Sequence, residues 1–251
     1  MSIIFKKTQG LTDTPFSYCP GCTHGIIHRL VGEVLEELGL IDHSIAIASV
    51  GCSVFAYEYF NCDALQAAHG RAPAVATGVK RLQPDKIVFT YQGDGDLASI
   101  GAAEIIHAAN RNENITVIFV NNGIYGMTGG QMAPTTLPDQ KTTTTPLGKD
   151  VSSTGYPLKM SEMLATIEHV AYIERVMTVD AVSIRKTKKA IENAFKAQMN
   201  HEGFSLVEIL SSCNIGWKLS PVESLDYIKN QMQATFPLGV FKERVKHEST
   251  N

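Results

Sequence analysis

The chain has 251 residues, of which 44% are apolar and 19% are charged, a composition typical of a globular protein with a substantial core. Its formal net charge of -3 gives no electrostatic argument for nucleic-acid binding or for an anionic membrane surface. The N-terminus lacks the apolar stretch of a secretory signal, and no run of about 18 apolar residues is present, so we expect a cytoplasmic protein whose thiols stay reduced.

Helical and strand patterns alternate along most of the chain. In chain order they predict a helix at 26–38 closed by Gly39, a strand at 45–50, a helix at 65–82 interrupted by Gly70 and Pro73, a strand at 87–91, a helix at 97–111, strands at 115–120 and 172–177, a helix capped by Thr178 or Asp180, and a strand at 204–210. Such alternation predicts a single α/β domain over residues 1–251, with a mostly parallel sheet covered by helices on both faces.

Two segments fall outside this pattern. Residues 132–157 contain four prolines and a run of threonines, and a loop of that length inside a compact domain is usually functional or disordered. Its position directly after a strand end that bears polar residues favours a loop at an active site or facing a partner. Residues 214–251 carry the only tryptophan, Trp217, and we expect a surface extension that could pack on a partner.

Polar residues follow two of the predicted strands. The sequence Gly93-Asp94-Gly95-Asp96 follows the strand at 87–91, and Asn121-Asn122 follows the strand at 115–120. Parallel strands bring their carboxyl ends to one edge of a sheet, where ligands usually bind. Oxygens of Asp94, Asn122 and the Ile124 carbonyl suit Mg²⁺, and Gly95 with the helix N-terminus after it suits a diphosphate. Ordinary β-turns are the alternative, because Gly, Asp and Asn are all turn formers.

The interval between the two motifs narrows this interpretation. Twenty-five residues, Asp96 to Val120, separate Gly93-Asp94-Gly95 from Asn121-Asn122. A GDG sequence followed by NN at this spacing, with a strand before each half, resembles the fingerprint of thiamine diphosphate enzymes. That resemblance implies a thiamine diphosphate-binding fold.

Four of the five cysteines lie either in a short CPGC sequence or just after a predicted strand. Cys19 and Cys22 form a CPGC sequence, while Cys52 and Cys213 each follow a predicted strand. Four thiolates can hold a [4Fe–4S] cluster or a structural zinc ion, and spacing alone does not separate the two. Cys62 remains, and a small buried apolar side chain is its default interpretation.

Together these motifs resemble the β subunit of 2-oxoacid:ferredoxin oxidoreductases. The resemblance rests on CPGC at 19–22, GCS at 51–53, HGRA at 69–72, GDGD at 93–96, NNGIYGMTGGQ at 121–131, and Cys213. It implies Cys19, Cys22, Cys52 and Cys213 as [4Fe–4S] ligands, and Asp94, Asn122 and Ile124 as Mg²⁺ ligands. The thiamine diphosphate cradle that it implies comprises Val50, Gly51, Cys52, Ser53, His69, Gly95, Asp96, Gly126 and Met127.

One position departs from the family pattern. The family usually reads CPGCGH, whereas this chain has Thr23 after Cys22. No cluster ligand changes, so we expect only a local adjustment of the backbone there. His69 and Arg71 are further candidates for contact with a phosphate or carboxylate, although a lone histidine is more often structural.

The resemblance also implies an activity and partners. The activity is oxidative decarboxylation of a 2-oxoacid to acyl-coenzyme A, with electrons passing through the cluster to ferredoxin. No glutamate here matches a family motif for activating thiamine diphosphate, so we expect it from a partner α subunit, with γ and ferredoxin-like δ subunits as further partners. A non-redox thiamine diphosphate decarboxylase with zinc, or a non-catalytic electron-transfer or assembly subunit, are the alternatives.

Residues after the NN motif bear on the substrate. Met127 is apolar and adaptable, and Gly129 offers no charge for a distal carboxylate. We therefore expect a branched-chain acid, 3-methyl-2-oxobutanoate, with 2-oxoglutarate as the alternative.

Overall fold

The computed structural model describes residues 6–244. Its strands are β1 (Ser44–Ala48), β2 (Asp63–Gln66), β3 (Ile87–Gly93), β4 (Thr116–Asn121), β5 (Ile124–Tyr125), β6 (Gln131–Met132), β7 (Tyr172–Met177), β8 (Ser205–Leu210) and β9 (Gly239–Glu243). Its α-helices are α1 (His24–Glu37), α2 (Ala56–Tyr59), α3 (Ala72–Leu82), α4 (Ala102–Asn110), α5 (Val151–Thr154), α6 (Met160–Ala165), α7 (Ala181–Met199), α8 (Asn214–Trp217), α9 (Pro221–Tyr227) and α10 (Gln233–Thr235).

Seven strands form one sheet in the order β2-β1-β3-β4-β8-β7-β9. Every pairing is parallel except β7 with β9, which is antiparallel. The predicted α/β fold with a mostly parallel sheet is confirmed. The sheet brings the carboxyl ends of β1, β3, β4 and β8 to one edge, where the polar and cysteine-bearing turns follow.

Alternate residues of the central strands enter two separate cores, as a pleated sheet requires. Phe89 and Tyr91 of β3 face a core with α1 and α7, while Val88 faces another with α3, α4 and α6. Helices therefore cover both faces, which explains the continuous apolar runs of the central strands. None of the helices within residues 6–244 is long and apolar enough to cross a bilayer.

The predicted helix at 65–82 is wrong in its first half. Asp63–Gln66 is an edge strand parallel to β1, and the helix begins only at Ala72. Gly70 has φ +76°, a conformation that favours glycine and separates the two elements. Pro73 stands in the first helical turn, where its missing N–H costs nothing.

Two other elements differ in detail from the sequence predictions. The helix at 97–111 begins with a π-helical turn, Asp96–Ile100, and becomes α-helical from Ala102. The cap of α7 is Asp180, which accepts a hydrogen bond from the Ser183 amide in a capping box.

The C-terminal extension packs on its own sheet. Its described part, residues 214–244, contributes Ile228, Met232 and Phe236 to a third apolar cluster with Leu137 and Leu210. β9 then covers the free edge of β7. Residues 245–251, the end of the predicted extension, lie outside the described residues.

Candidate cofactor and cysteine site

The predicted metal ligands meet at the ends of β3 and β4. Asp94 is buried, and its two carboxylate oxygens accept hydrogen bonds from the amides of Gly95 (2.9 Å) and Ile124 (3.2 Å). Asn122 Oδ1 accepts from the same Ile124 amide at 3.3 Å. The turn with Asp94 and the turn with Asn122 and Ile124 therefore lie side by side, because β3 and β4 are neighbours in the sheet.

Asp94 is placed to bind a cation. Burial raises the pKa of Asp94 to about 6, while the Thr135 hydroxyl and backbone N–H groups act in the opposite direction. A positive ion beside the carboxylate would favour its charged form. Carboxylate, amide and carbonyl oxygens are the ligands that Mg²⁺ prefers, so the donor set fits the ion that the motif implies.

The long loop closes over this site. The Thr135 hydroxyl donates to Asp94 Oδ2 at 2.5 Å, and the Thr136 hydroxyl donates to the Gly123 carbonyl at 2.6 Å. Lys149, also buried, donates from Nζ to the Thr136 carbonyl at 2.9 Å. Sequence reasoning placed the loop near the site but did not identify Thr135.

Gly95 has a neighbour that the sequence did not indicate. A Cβ atom at Gly95 would overlap the ring of Tyr125, whose hydroxyl donates to the Gly95 carbonyl at 3.0 Å. Only glycine fits beneath that ring. The Gly95 backbone and the Tyr125 ring therefore pack too closely for any side chain at position 95.

Asp96 is bound by protein groups. Its carboxylate accepts from the Gly70 amide (2.6 Å) and Gln92 Nε2 (2.5 Å), and it lies 2.5 Å from His69 Nδ1. Asp96 therefore fixes the position of His69, whose side chain is 30% exposed. Arg71 contacts Glu104 and the Ile100 carbonyl, so its guanidinium is held against α4.

The remaining predicted cradle residues surround the end of β1 and the turn after β4. Gly51 has φ +116°, and the buried Ser53 donates to the Ser49 carbonyl at 3.2 Å. Val50, directly before Gly51, is half-buried. Gly126 and Met127 follow β5 and line the cavity described next, where Met127 is 50% exposed.

All four predicted cluster cysteines line one cavity. Its volume is about 950 Å³, and Cys19, Cys22, Cys52 and Cys213 share its wall with Asn122, Gly126 and Met127. The chain brings them together because the CPGC turn precedes α1 while the other two cysteines follow β1 and β8. Cys62 does not line this cavity and packs against the core beneath β1.

Cys22, Cys52 and Cys213 are partly buried, whereas Cys19 is exposed. A Cβ at Gly126 would lie 3.0 Å from Cys213 Sγ and 3.4 Å from Cys52 Sγ, so glycine leaves the space around both sulfurs open. Burial raises the pKa of Cys22 and Cys52 to about 11 and that of Cys213 to about 12, with neighbouring cysteines adding to the effect. These thiols are protonated at neutral pH until a metal displaces their protons.

The arrangement of the cysteines fits a cluster. Within residues 6–244, no three His, Cys, Asp or Glu side chains are grouped closely enough to hold a single metal ion. The four cysteines instead line one cavity. In a [4Fe–4S] cluster each cysteine binds a different iron, so this donor set fits that group.

Trp217 connects the segment after Cys213 to the turn that contains Asn122. It ends α8, the short helix directly after Cys213, and its Nε1 donates to the Asn122 carbonyl at 3.0 Å. Sequence reasoning singled out this residue only as part of the extension. No periodic signal links Trp217 to Asn122, because the contact depends on the path of an irregular segment.

Comparisons with known proteins agree with this geometry. The family model for the thiamine pyrophosphate enzyme, C-terminal TPP binding domain, matches residues 44–209. A 2-oxoglutarate:ferredoxin oxidoreductase structure from Magnetococcus marinus, with 2-oxoglutarate, coenzyme A and succinyl-CoA bound, superposes with a TM-score of 0.80 at 28% identity, covering 96% of this chain and 86% of that one.

Relatives carry two kinds of name. Ketoisovalerate oxidoreductase subunit VorA of Methanothermobacter marburgensis is 48% identical over 241 residues, which are 96% of this chain and 50% of the relative. 2-Oxoglutarate synthase subunit KorB of Archaeoglobus fulgidus is 34% identical over 245 residues, with 93% of this chain and 87% of the relative covered. The chain thus spans half the length of the ketoisovalerate relative. The chain belongs to the thiamine pyrophosphate enzyme family and, within it, to the subunits of 2-oxoacid:ferredoxin oxidoreductases.

Proposed function

We propose that this chain is the thiamine diphosphate-binding β subunit of an enzyme that oxidatively decarboxylates a 2-oxoacid to acyl-coenzyme A and CO₂, passing electrons to ferredoxin. One observation carries the proposal. The cavity lined by four cysteines shares Asn122, Gly126 and Met127 with the predicted cofactor site. A redox centre held there would lie beside the reacting cofactor, as electron transfer during catalysis requires.

Two sets of residues would bind two different groups. Asp94, Asn122 and the Ile124 carbonyl would hold Mg²⁺ and through it the diphosphate, while Cys19, Cys22, Cys52 and Cys213 would hold a [4Fe–4S] cluster. When bound, thiamine diphosphate supplies an electron sink for decarboxylation. The chain's own contribution is to fix both groups on the rigid edge of the sheet and to enclose them with the 132–157 loop.

A partner subunit is needed to complete the site. Among the described residues that line the cavity there is no aspartate or glutamate. This supports an α subunit as the source of the glutamate that activates thiamine diphosphate. Coenzyme A, ferredoxin, and γ and ferredoxin-like δ subunits complete the proposed assembly, which we place in the cytoplasm.

For the substrate we propose 3-methyl-2-oxobutanoate. Phe55, Met127 and Ile215 give the cavity apolar side chains, and the two VorA relatives are named for ketoisovalerate. The second candidate is 2-oxoglutarate, because Lys141 and Lys218 also line the cavity and could contact a distal carboxylate.

An activity assay of the purified native complex with a panel of 2-oxoacids tests this proposal. The complex is incubated anaerobically with ferredoxin, coenzyme A and, separately, pyruvate, 3-methyl-2-oxobutanoate and 2-oxoglutarate. We expect ferredoxin reduction to be fastest with the branched acid. Preference for 2-oxoglutarate would overturn the substrate assignment alone. A colourless complex that holds zinc and reduces no ferredoxin would overturn the activity in favour of a non-redox decarboxylase.

A further inference from the structure

The segments that carry the cysteines meet at a set of buried hydrogen bonds. Thr23 directly follows Cys22, and Ser211 and Ser212 directly precede Cys213. Thr23 Oγ1 lies 2.6 Å from Ser211 Oγ and accepts from the Ser212 amide at 3.2 Å. Both contacts cross from the start of the first helix to the end of β8, between residues that are remote in sequence.

Two more bonds join the same segments. Ser212 Oγ donates to the Gly21 carbonyl at 2.9 Å, and Asn214 Nδ2 donates to the Pro20 carbonyl at 3.0 Å. Of the groups involved, the Thr23 hydroxyl is the one that contacts two residues of the Cys213 segment. We name Thr23, Ser211, Ser212 and Asn214 the cysteine clamp.

The clamp is buried, so its bonds cannot be replaced by water without local opening. Thr23 is 3% exposed, and Ser211 and Ser212 are fully buried. A buried backbone amide such as that of Ser212 needs an acceptor, and leaving it unpaired costs about 1–3 kcal/mol. A glycine at position 23, as in the family pattern, would supply no such acceptor.

The clamp also contacts the turn that begins at Asn121-Asn122. The Ser211 amide donates to the Asn121 carbonyl at 3.0 Å, so one short segment is bonded to the CPGC turn on one side and to the NN turn on the other. Thr23 itself has φ -89°, a conformation open to any residue. Threonine therefore needs no special backbone conformation at position 23. The feature that distinguishes it from the glycine of the family pattern is its hydroxyl group.

We propose that Thr23 is a positioning residue for the cluster ligands. Its hydroxyl locks the Cys19–Cys22 turn against the Cys213 segment and holds the thiols around the cavity before any group binds. This inference rests on the proposed function only for the identity of the bound group. The clamp itself is a property of the chain with or without iron.

Thr23→Val tests the clamp because it replaces the hydroxyl by a methyl group of similar size. In the full chain stripped of metal, hydrogen exchange followed by mass spectrometry should show faster exchange for residues 211–214 in Thr23→Val and a wild-type rate in Thr23→Ser. In the anaerobically purified complex, we expect roughly tenfold faster bleaching of the cluster by an iron chelator in Thr23→Val, with rescue in Thr23→Ser.

Matched controls separate positioning from general stability. Thr187→Val, in α7, removes a buried hydroxyl that donates to the Met177 carbonyl at the end of β7, and it should lower the melting temperature without changing cluster lifetime. If Thr23→Val does not fold, Thr23→Ala removes the same hydroxyl, and with it the acceptor of the Ser212 amide, and should give the same exchange pattern.

Unchanged exchange at 211–214 in the folded Thr23→Val or Thr23→Ala chain would overturn the clamp. Equal cluster lifetimes in wild type and Thr23→Val would overturn its role in ligand positioning. A wild-type complex without iron would instead contradict the proposed function, while the exchange comparison would still decide on the clamp.

Discussion

Asp94 is buried, shares the Ile124 amide as a hydrogen-bond donor with Asn122, and accepts a hydrogen bond from the Thr135 hydroxyl of the 132–157 loop. We expect Asp94→Asn to weaken retention of thiamine diphosphate and Mg²⁺ by at least roughly 100-fold, because the change removes the only charge among the three proposed ligands while preserving shape. Calorimetric titration of the complex with cofactor and Mg²⁺ measures the effect.

A control for this prediction is available in the loop that covers the site. Asp150 is exposed and caps a short helix, so Asp150→Asn should leave cofactor affinity unchanged. Equal affinity in wild type and Asp94→Asn would show that the metal is held elsewhere.

His28 makes a second prediction at the level of single residues. It is fully buried, its Nε2 lies 2.7 Å from the Tyr18 hydroxyl, and its ring stacks on Tyr91 with centroids 4.4 Å apart. Burial, with His24 nearby, holds the pKa of His28 well below its ordinary value of 6.5. The folded chain therefore carries this histidine neutral.

Acidification should accordingly destabilise the fold through His28. Below about pH 6.5 the unfolded chain binds a proton that folded His28 does not, so stability falls by up to roughly 1.4 kcal/mol per pH unit from this group. Urea unfolding at pH 7, 6 and 5 should show a shallower loss in His28→Phe than in wild type. The exposed His43 supplies the control variant His43→Phe, and equal slopes in all three proteins would contradict the assignment.

At the scale of elements, the 132–157 loop donates hydrogen bonds to Asp94 and to the Gly123 carbonyl. Thr135→Val removes the hydroxyl that donates to Asp94, and we expect roughly tenfold weaker binding of thiamine diphosphate with Mg²⁺ in the complex, the cost of one lost hydrogen bond to a charged group. Thr154→Val changes an exposed threonine of the same loop and should bind normally. Wild-type affinity in Thr135→Val would show that the loop does not support the site.

The elements also show what a single sequence can and cannot predict. Asp94 and Asn122 could be placed together because parallel neighbours such as β3 and β4 end at the same edge. Asp63–Gln66 could not be recognised as a strand, since a short, partly exposed edge strand has no apolar run. The contacts of Thr135 and Trp217 depend on irregular segments, for which periodicity gives no register.

The arrangement of the cysteines could be predicted from the sequence only in part. Cys52 and Cys213 follow predicted strands, as the Asp94 and Asn122 motifs do, and in the structure both cysteines line a cavity with Asn122. The sequence spacing of the cysteines does not distinguish a cluster from a single zinc ion, and metal analysis of the purified complex makes that distinction.

Across the whole molecule, a buried ionic network ties the C-terminal extension to the NN motif. Glu208 accepts from Asn121 Nδ2 at 2.8 Å and pairs with Arg175, whose Nε lies 2.9 Å from Glu208 Oε2; both side chains are fully buried. Arg175 also donates to the Pro237 carbonyl at 3.0 Å and lies over the Phe236 and Phe241 rings. Arg175, which also pairs with Glu162, thus connects the extension to Glu208 and through it to Asn121.

Breaking this pair should be costly. Arg175→Met leaves the Glu208 charge buried without its partner, and we expect a loss of about 3–5 kcal/mol in the free energy of unfolding by urea. Arg175→Met combined with Glu208→Gln, which keeps an acceptor for Asn121, should recover most of that loss. Lys189→Met removes an exposed pair with Glu192 and should change stability by no more than about 1 kcal/mol. A similarly small effect for Arg175→Met would contradict the network's role.

The central claim is that the four cysteines hold an iron–sulfur cluster that takes electrons from a cofactor bound by Asp94 and Asn122. Electron paramagnetic resonance of the anaerobic native complex, before and after addition of 3-methyl-2-oxobutanoate and coenzyme A, tests it most directly. We predict that the signal of a reduced [4Fe–4S] cluster develops only when the acid is present, and that Cys213→Ala in this chain abolishes it. A complex that contains zinc in place of iron, or whose signal is unaffected by Cys213→Ala, would contradict the account.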